Sequence, residues 1–128
     1  MKLLHVDVAI IGAGTAGMTA YRSALEHTPS VIVIEDGPYG TTCARVGCMP
    51  SKLLIAAADA AHSRANWDEF GLRLEGWVRV DGEAVMARVR RERDRFVGFV
   101  VEGVERIPER DRLTGHAQFT SPDTMSVD

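Results

Sequence analysis

The sequence predicts an α/β fold built on a parallel sheet, and three observations carry that prediction. Two short β-branched runs, at 6–11 and 31–34, flank a stretch with helical composition. A turn with glycine at 12, 14 and 17 joins the first run to that helix. Further along, apolar residues recur at helical spacing between 81 and 107, ahead of a short β-rich tail. Strand, helix and strand within about 35 residues form the βαβ unit of a doubly wound sheet.

Each element follows from its residues. Val6, Val8, Ile10 and Ile11, interrupted by Asp7 and Ala9, read as a buried parallel strand. The helix is expected from Met18 to about His27, closed by Pro29 and Ser30. Val31, Ile32, Val33 and Ile34 make the second buried strand, ending at Glu35, Asp36 and Gly37. Pro38 and Gly40 mark a loop over 37–42. The alanine-rich stretch 53–65 is a strong helix former. Residues 66–80 read as loop with a small strand. Asp81 is placed to cap a long helix that ends near Ile107, before Pro108. Val85, Val89, Phe96, Val100 and Val104 form its apolar face, and the charged run from Arg88 to Arg95 reads as its solvated face. Residues 113–127 read as a hairpin turning at Ser121, Pro122 and Asp123.

The 128 residues fit one domain at most. A content of 45% apolar and 26% charged residues is that of a globular protein. A formal net charge of −3 argues against a nucleic-acid partner. No apolar run approaches the roughly 18 residues of a membrane span. Asp7 follows Met1, Lys2, Leu3, Leu4 and His5 so closely that no signal-peptide stretch is read there, and a cytoplasmic location is expected.

The glycine turn has a physical logic. Gly12 permits the tight turn from strand to helix, Gly14 leaves room for a pyrophosphate beside the backbone, and Gly17 lets the helix pack on the sheet. The helix N-terminus offers N–H groups and a positive dipole end to phosphates. Glu35 lies 21 residues beyond Gly14, at the end of the second strand, where a carboxylate meets ribose hydroxyls. Asp36 is the alternative in that role. The turn reads equally for FAD and NAD, and the acid disfavours a 2′-phosphate.

Cys43 and Cys48 are the only cysteines. A structural zinc site takes four ligands, and His5, His27, His62 and His116 lack ligand spacing, so no metal is expected. Two inert buried thiols are one reading. The other is redox chemistry: a helix entrance and Lys52 lower a thiol pKa, one thiolate attacks a disulfide, and the second resolves it. Five residues apart, the two sulfurs are neighbours only if the first helical turn is distorted.

Residues 40–52, Gly-Thr-Thr-Cys-Ala-Arg-Val-Gly-Cys-Met-Pro-Ser-Lys, closely resemble the active-site signature of the class I pyridine nucleotide–disulfide oxidoreductases, G-G-T-C-x-N-x-G-C-x-P-S-K. With the glycine turn and Glu35 the likeness spans 6–52, and it continues weakly to Gly115, Ala117 and Phe119, which resemble the family's G-x-A-x-F strand. Dihydrolipoyl dehydrogenases are the nearest members, followed by mercuric and glutathione reductases. The resemblance implies a Rossmann-like FAD-binding domain with a parallel sheet, a long helix and a small hairpin. It makes the chain an incomplete, amino-terminal segment of that domain, with the NAD(P)-binding and dimerisation domains lying outside 1–128.

The implied roles follow by position. Cys43 is the interchange thiol that meets a dithiol or disulfide substrate of lipoamide type, Cys48 the thiol against the flavin, and Lys52 the residue near the flavin's reactive nitrogen. Gly12, Ala13, Gly14, Thr15, Ala16 and Gly17 hold the FAD pyrophosphate, with Thr42 facing the pyrophosphate or ring. Glu35 holds the ribose, and His116 and Ala117 meet adenine through their main chain, the His116 imidazole having no role. A homodimer is implied for the full-length protein. Thr41 departs from a family glycine and Arg45 from a family asparagine; Arg45 either depresses a thiol pKa or pairs with an acid. A non-catalytic FAD- or NAD-binding module with inert cysteines is the competing reading.

Overall fold

Three parallel strands organise the ends of the chain in a computed structural model that describes residues 3–128. Met1 and Lys2, which open the stretch read for a signal peptide, lie outside the described residues. β1 (Val8–Ile11), α1 (Thr15–Leu25) and β2 (Val31–Glu35) form the expected βαβ unit. β1 pairs with β2 in parallel, Val8 opposite Val31 through Ile11 opposite Ile34. The side chains of Val31, Ile32, Val33 and Ile34 are all buried, so β2 is covered on both faces, as a central parallel strand must be.

Beyond β2 come α2 (Thr42–Val46), α3 (Cys48–His62), a 3-10 helix (Ser63–Phe70), α4 (Gly82–Glu105), a short 3-10 turn (Glu109–Asp111), β3 (Arg112–Thr114), β4 (Ala117–Ser121) and β5 (Thr124–Val127). The chain divides into two compact units, one running through Thr41 and resuming at Gly98–Asp128, the other Thr42–Val97.

In the first unit Ile10, Ala13, Met18, Tyr21, Val31, Val33, Val104 and Ile107 make one core, with Val8, Ala24 and Tyr39 packed against it. α1 can approach the strands because residue 17 has no side chain: a Cβ there would lie 1.8 Å from the Gly12 carbonyl oxygen. The Tyr21 hydroxyl donates to Asp111 at 3.1 Å, tying α1 to the turn before β3.

In the second unit, α3 buries no side chain completely, and the 3-10 helix ends at Gly71 in a left-handed conformation. The Asp81 carboxylate accepts from the Ala84 N–H at 2.9 Å, capping α4 as its position suggested. Val89 is buried on α4, while Arg91, Arg93 and Arg95 pair with Glu92 and Asp94 along the solvated face.

Three expectations change. Residues 66–80 hold the end of a 3-10 helix and irregular chain, with no strand. Leu113 and Thr114 leave the hairpin for the parallel sheet, where β3 pairs with β2, Ile34 opposite Leu113 and Glu35 opposite Thr114. The hairpin is β4 with β5 alone, turning at Pro122 and Asp123. α1 also starts three residues earlier than read, because the turn residues Thr15, Ala16 and Gly17 already form its first turn.

The glycine positions give opposite expectations for alanine. Gly17→Ala drives a Cβ into a backbone oxygen and should cost about 3 kcal/mol. Gly14→Ala meets nothing within 4 Å and should stay within about 0.5 kcal/mol of the parent in denaturant titrations.

Candidate functional site

The C-terminal edge of the β1–β2–β3 sheet collects the residues singled out for a dinucleotide. At its mouth Gly12 has φ 99, a left-handed conformation suited to glycine, and its N–H donates to the Ile34 carbonyl at 2.7 Å. Gly14 is the N-cap of α1, and no side chain caps this helix. Its first N–H groups have no intrahelical acceptor, and the space where a Gly14 side chain would stand is open. An open, uncapped N-terminus beside a strand mouth is a phosphate cradle in form.

Glu35 is fastened across this mouth. Its Oε2 accepts from the Ala13 N–H at 2.7 Å and its Oε1 from the Gly37 N–H at 3.0 Å. The Ala13 N–H is therefore committed to Glu35. A carboxylate offers about four lone-pair sites, so two remain, the number a vicinal ribose diol requires. Asp36 takes another direction: its Oδ2 lies 2.9 Å from Nδ1 of His116.

The structure also divides His116 from Ala117. The His116 N–H donates to the Asp128 carbonyl at 3.0 Å, and its own carbonyl accepts from the Asp128 N–H at 3.3 Å. Residues exchanging both bonds alternate with residues that exchange none, and Ala117 opposite Val127 is the next pair. Ala117 therefore turns its N–H and carbonyl to the open edge of β4, one donor beside one acceptor. The His116 imidazole, given no role in the sequence, carries the contact to Asp36. Eighty residues separate those partners, and no local spacing could reveal them. These residues fit the adenosine diphosphate part of a flavin dinucleotide: helix end for phosphate, carboxylate for ribose, strand edge for adenine.

The thiols lie in the second unit. Cys43 is in α2, Cys48 opens α3, and both are free and exposed. The distortion expected in the first helical turn is instead a break between two helices at Gly47, with φ −116 and ψ −110. A Cβ at Gly47 would stand 3.2 Å from the Thr42 carbonyl oxygen and 3.4 Å from Cys43 Cα, so its absence lets α2 fold against the start of α3. The Cys43 thiol is hydrogen-bonded to Cys48, and that bond is the main reason its pKa rises. Desolvation and the charge on Cys48 push the same way; a backbone contact with Cys48 and the Lys52 charge pull down. The lowered pKa expected for this segment is thus reversed at Cys43. Lys52 is a cation acting on Cys43, and Arg45 stands half-buried in the last turn of α2.

Thr41, just ahead of this segment, has φ 56. A β-branched residue in left-handed backbone is an outlier, which explains the glycine of the resembling signature and the strain carried here. Among the described residues no group of three or more His, Cys, Asp or Glu could hold a metal ion, and no helix is long and apolar enough to cross a membrane.

An α/β sheet with an uncapped glycine turn at its mouth and a hydrogen-bonded cysteine pair defines a dinucleotide-binding, thiol-bearing protein class. Comparison with known proteins agrees. The family model for pyridine nucleotide-disulphide oxidoreductase matches residues 6–122, and the chain belongs to that family. A dihydrolipoyl dehydrogenase from Trypanosoma brucei brucei is 31% identical over 126 residues, covering 94% of this chain and 26% of the relative. A mercuric reductase from Serratia marcescens is 49% identical over 59 residues, 46% of this chain and 13% of that one. Among solved structures, a Cu(II) complex of the HOCl-induced flavoprotein disulfide reductase RclA from Escherichia coli shares the fold with a TM-score of 0.69 and 23% identity, covering 98% of this chain and 25% of its own. The chain spans about a quarter of the length of the curated dihydrolipoyl dehydrogenases it matches.

Two substitutions test the local physics. Thr41→Gly should stabilise the protein by about 1 kcal/mol in chemical denaturation, because glycine removes the left-handed strain. Lys52→Ala removes the cation that lowers Cys43, so the pH profile of Cys43 alkylation should move to higher pH.

Proposed function

We propose that this chain is the amino-terminal segment of the FAD-binding domain of a dithiol–disulfide oxidoreductase of dihydrolipoyl dehydrogenase type. The single observation that carries the reading is the Gly47 break, which folds α2 against the start of α3 and brings Cys43 to Cys48 within the signature-like segment 40–52. It sets the two thiols beside each other as one pair. A span of about a quarter of the matching relatives supports an assignment to part of a longer protein. So does the surface: among the described residues β1 has no partner on its outer side in the sheet, and Phe70, Trp77 and Val80 are largely exposed.

In the oxidative direction a substrate thiolate attacks Sγ of Cys43 within the Cys43–Cys48 disulfide. The S–S bond breaks with its electron pair on Cys48. A second substrate thiolate then attacks the substrate sulfur bound to Cys43, closing the substrate disulfide and freeing Cys43. Two electrons have entered the pair. Bound FAD would supply the two-electron acceptor for the reduced pair, with NAD(P) as the exchange partner held by a further domain of the full-length protein. Gly14, Thr15, Ala16 and Gly17 at the start of α1 would hold the FAD pyrophosphate, and Glu35 the ribose. Lys52 holds positive charge near Cys43 and favours its thiolate over the neutral thiol. The substrate is a lipoamide-like dithiol, the full-length protein a homodimer, and the location cytoplasmic.

A second reading, reduction of a thiophilic metal ion, is favoured by the 49% local identity to a mercuric reductase. Dihydrolipoamide and Hg(II) offered separately to the full-length protein decide between them, by nicotinamide turnover.

The non-catalytic module with inert cysteines makes the opposite prediction about the thiols. Titration after air oxidation and again after mild reduction should reveal two new thiols in the full-length protein. In Cys48→Ser, the long-wavelength absorption that appears on two-electron reduction of the flavoprotein should be absent. Unchanged thiol counts, or a Cys48→Ser protein that keeps this absorption, would overturn the redox assignment.

A further inference from the structure

The adenosine end of the sheet has two walls, and one pair of side chains joins them. Glu35 closes β2 with its carboxylate across the glycine turn, and Asp36 is the next residue. Ala117 presents its donor and acceptor at the open edge of β4, and His116 is the residue before it. Main-chain bonding between the walls ends with the Gly115 N–H on the Glu35 carbonyl at 3.0 Å. The ladder cannot run further. On one side Gly37 and Pro38 turn the chain away, and on the other Gly115 bends it with φ 152. Gly115 has no room for a side chain, because a Cβ would lie 2.4 Å from the Asp128 carbonyl oxygen. Past this point the Asp36–His116 contact at 2.9 Å ties the walls through side chains.

We propose that Asp36 and His116 are a positioning pair which sets the separation between Glu35 and Ala117, and so selects for the adenosine half of the bound flavin nucleotide. The inference rests on the FAD reading above and adds to it a role for two side chains. A carboxylate only accepts, so Nδ1 of His116 carries the hydrogen and Oδ2 of Asp36 receives it. The groups facing the imidazole are Asp36 on the β2 side and Asp128 at the end of β5, both acidic; Glu35, the neighbouring acid, is engaged by the Ala13 and Gly37 N–H groups. The bond to Asp36 raises the His116 pKa first, with the charges of Asp36 and Asp128 adding to it and desolvation opposing. The sign follows: the imidazolium form makes the stronger, charge-assisted tie, so adenosine selection is fullest at low pH and declines as pH rises through the His116 titration. Both side chains are more than half exposed, which limits the effect to the range of surface ion pairs.

The test compares FAD with FMN, which lacks the adenosine half, as ligands of the full-length protein stripped of flavin, read by flavin fluorescence quenching. His116→Ala should weaken FAD about threefold to fivefold and leave FMN unchanged. His116→Asn, whose side-chain amide can occupy the Nδ1 position, should recover most of the FAD affinity and lose its dependence on pH; Asp36→Asn should lose that dependence as well. FAD affinity unchanged in His116→Ala, or FAD and FMN weakened equally, would overturn the positioning role while leaving the flavin reading intact. A parent protein that binds neither flavin would overturn the FAD reading and this inference with it.

Discussion

The approach of α1 to the mouth of β1 is the constraint on which the first unit depends. With 1.8 Å between a hypothetical Gly17 Cβ and the Gly12 oxygen, only glycine lets helix and strand meet this closely. That contact sets the core made by Met18, Tyr21, Ile10 and Val33. It also places the uncapped start of α1 directly over the strand ends, where Glu35 can reach the Ala13 N–H. Packing and ligand chemistry are therefore one feature: the glycines that allow the helix to dock leave its N–H groups facing open space.

Much of this was legible in the sequence because the signals are local. The β-branched run at 31–34 announces a strand buried on both faces, and β2 is one. The glycine spacing announces the turn, and Asp81 announces the cap of α4. What stayed hidden is long-range. β3 has three residues, too few for periodicity, and it exists as a strand because β2, some 80 residues earlier, offers an unpaired edge. On pattern alone, residues 113 and 114 read as part of the hairpin. The Asp36–His116 contact is of the same kind, since neither residue is unusual until the sheet brings their ends together. The short apolar clusters of 66–80, Trp77 among them, suggest a small strand, yet they find no partner strand among the described residues.

The thiol segment teaches a different lesson. Helix entrance and lysine both point to a depressed thiol pKa, and each is present. Cys43 nonetheless rises, because its nearest neighbour is another thiol sharing a hydrogen bond. A reduced pair that holds its hydrogen bond favours the neutral form of the outer sulfur, leaving Lys52 to offset that preference. Sequence spacing pairs Cys43 with Cys48 and misses the balance between them, which depends on the Gly47 break folding α2 against α3.

The central claim is that the open helix end at the sheet mouth belongs to a flavin dinucleotide. Acid release from the gently purified full-length protein, followed by chromatography of the supernatant, measures this directly. Stoichiometric FAD is the expected result. A colourless protein that releases no flavin and takes up none on incubation would contradict the account at its root.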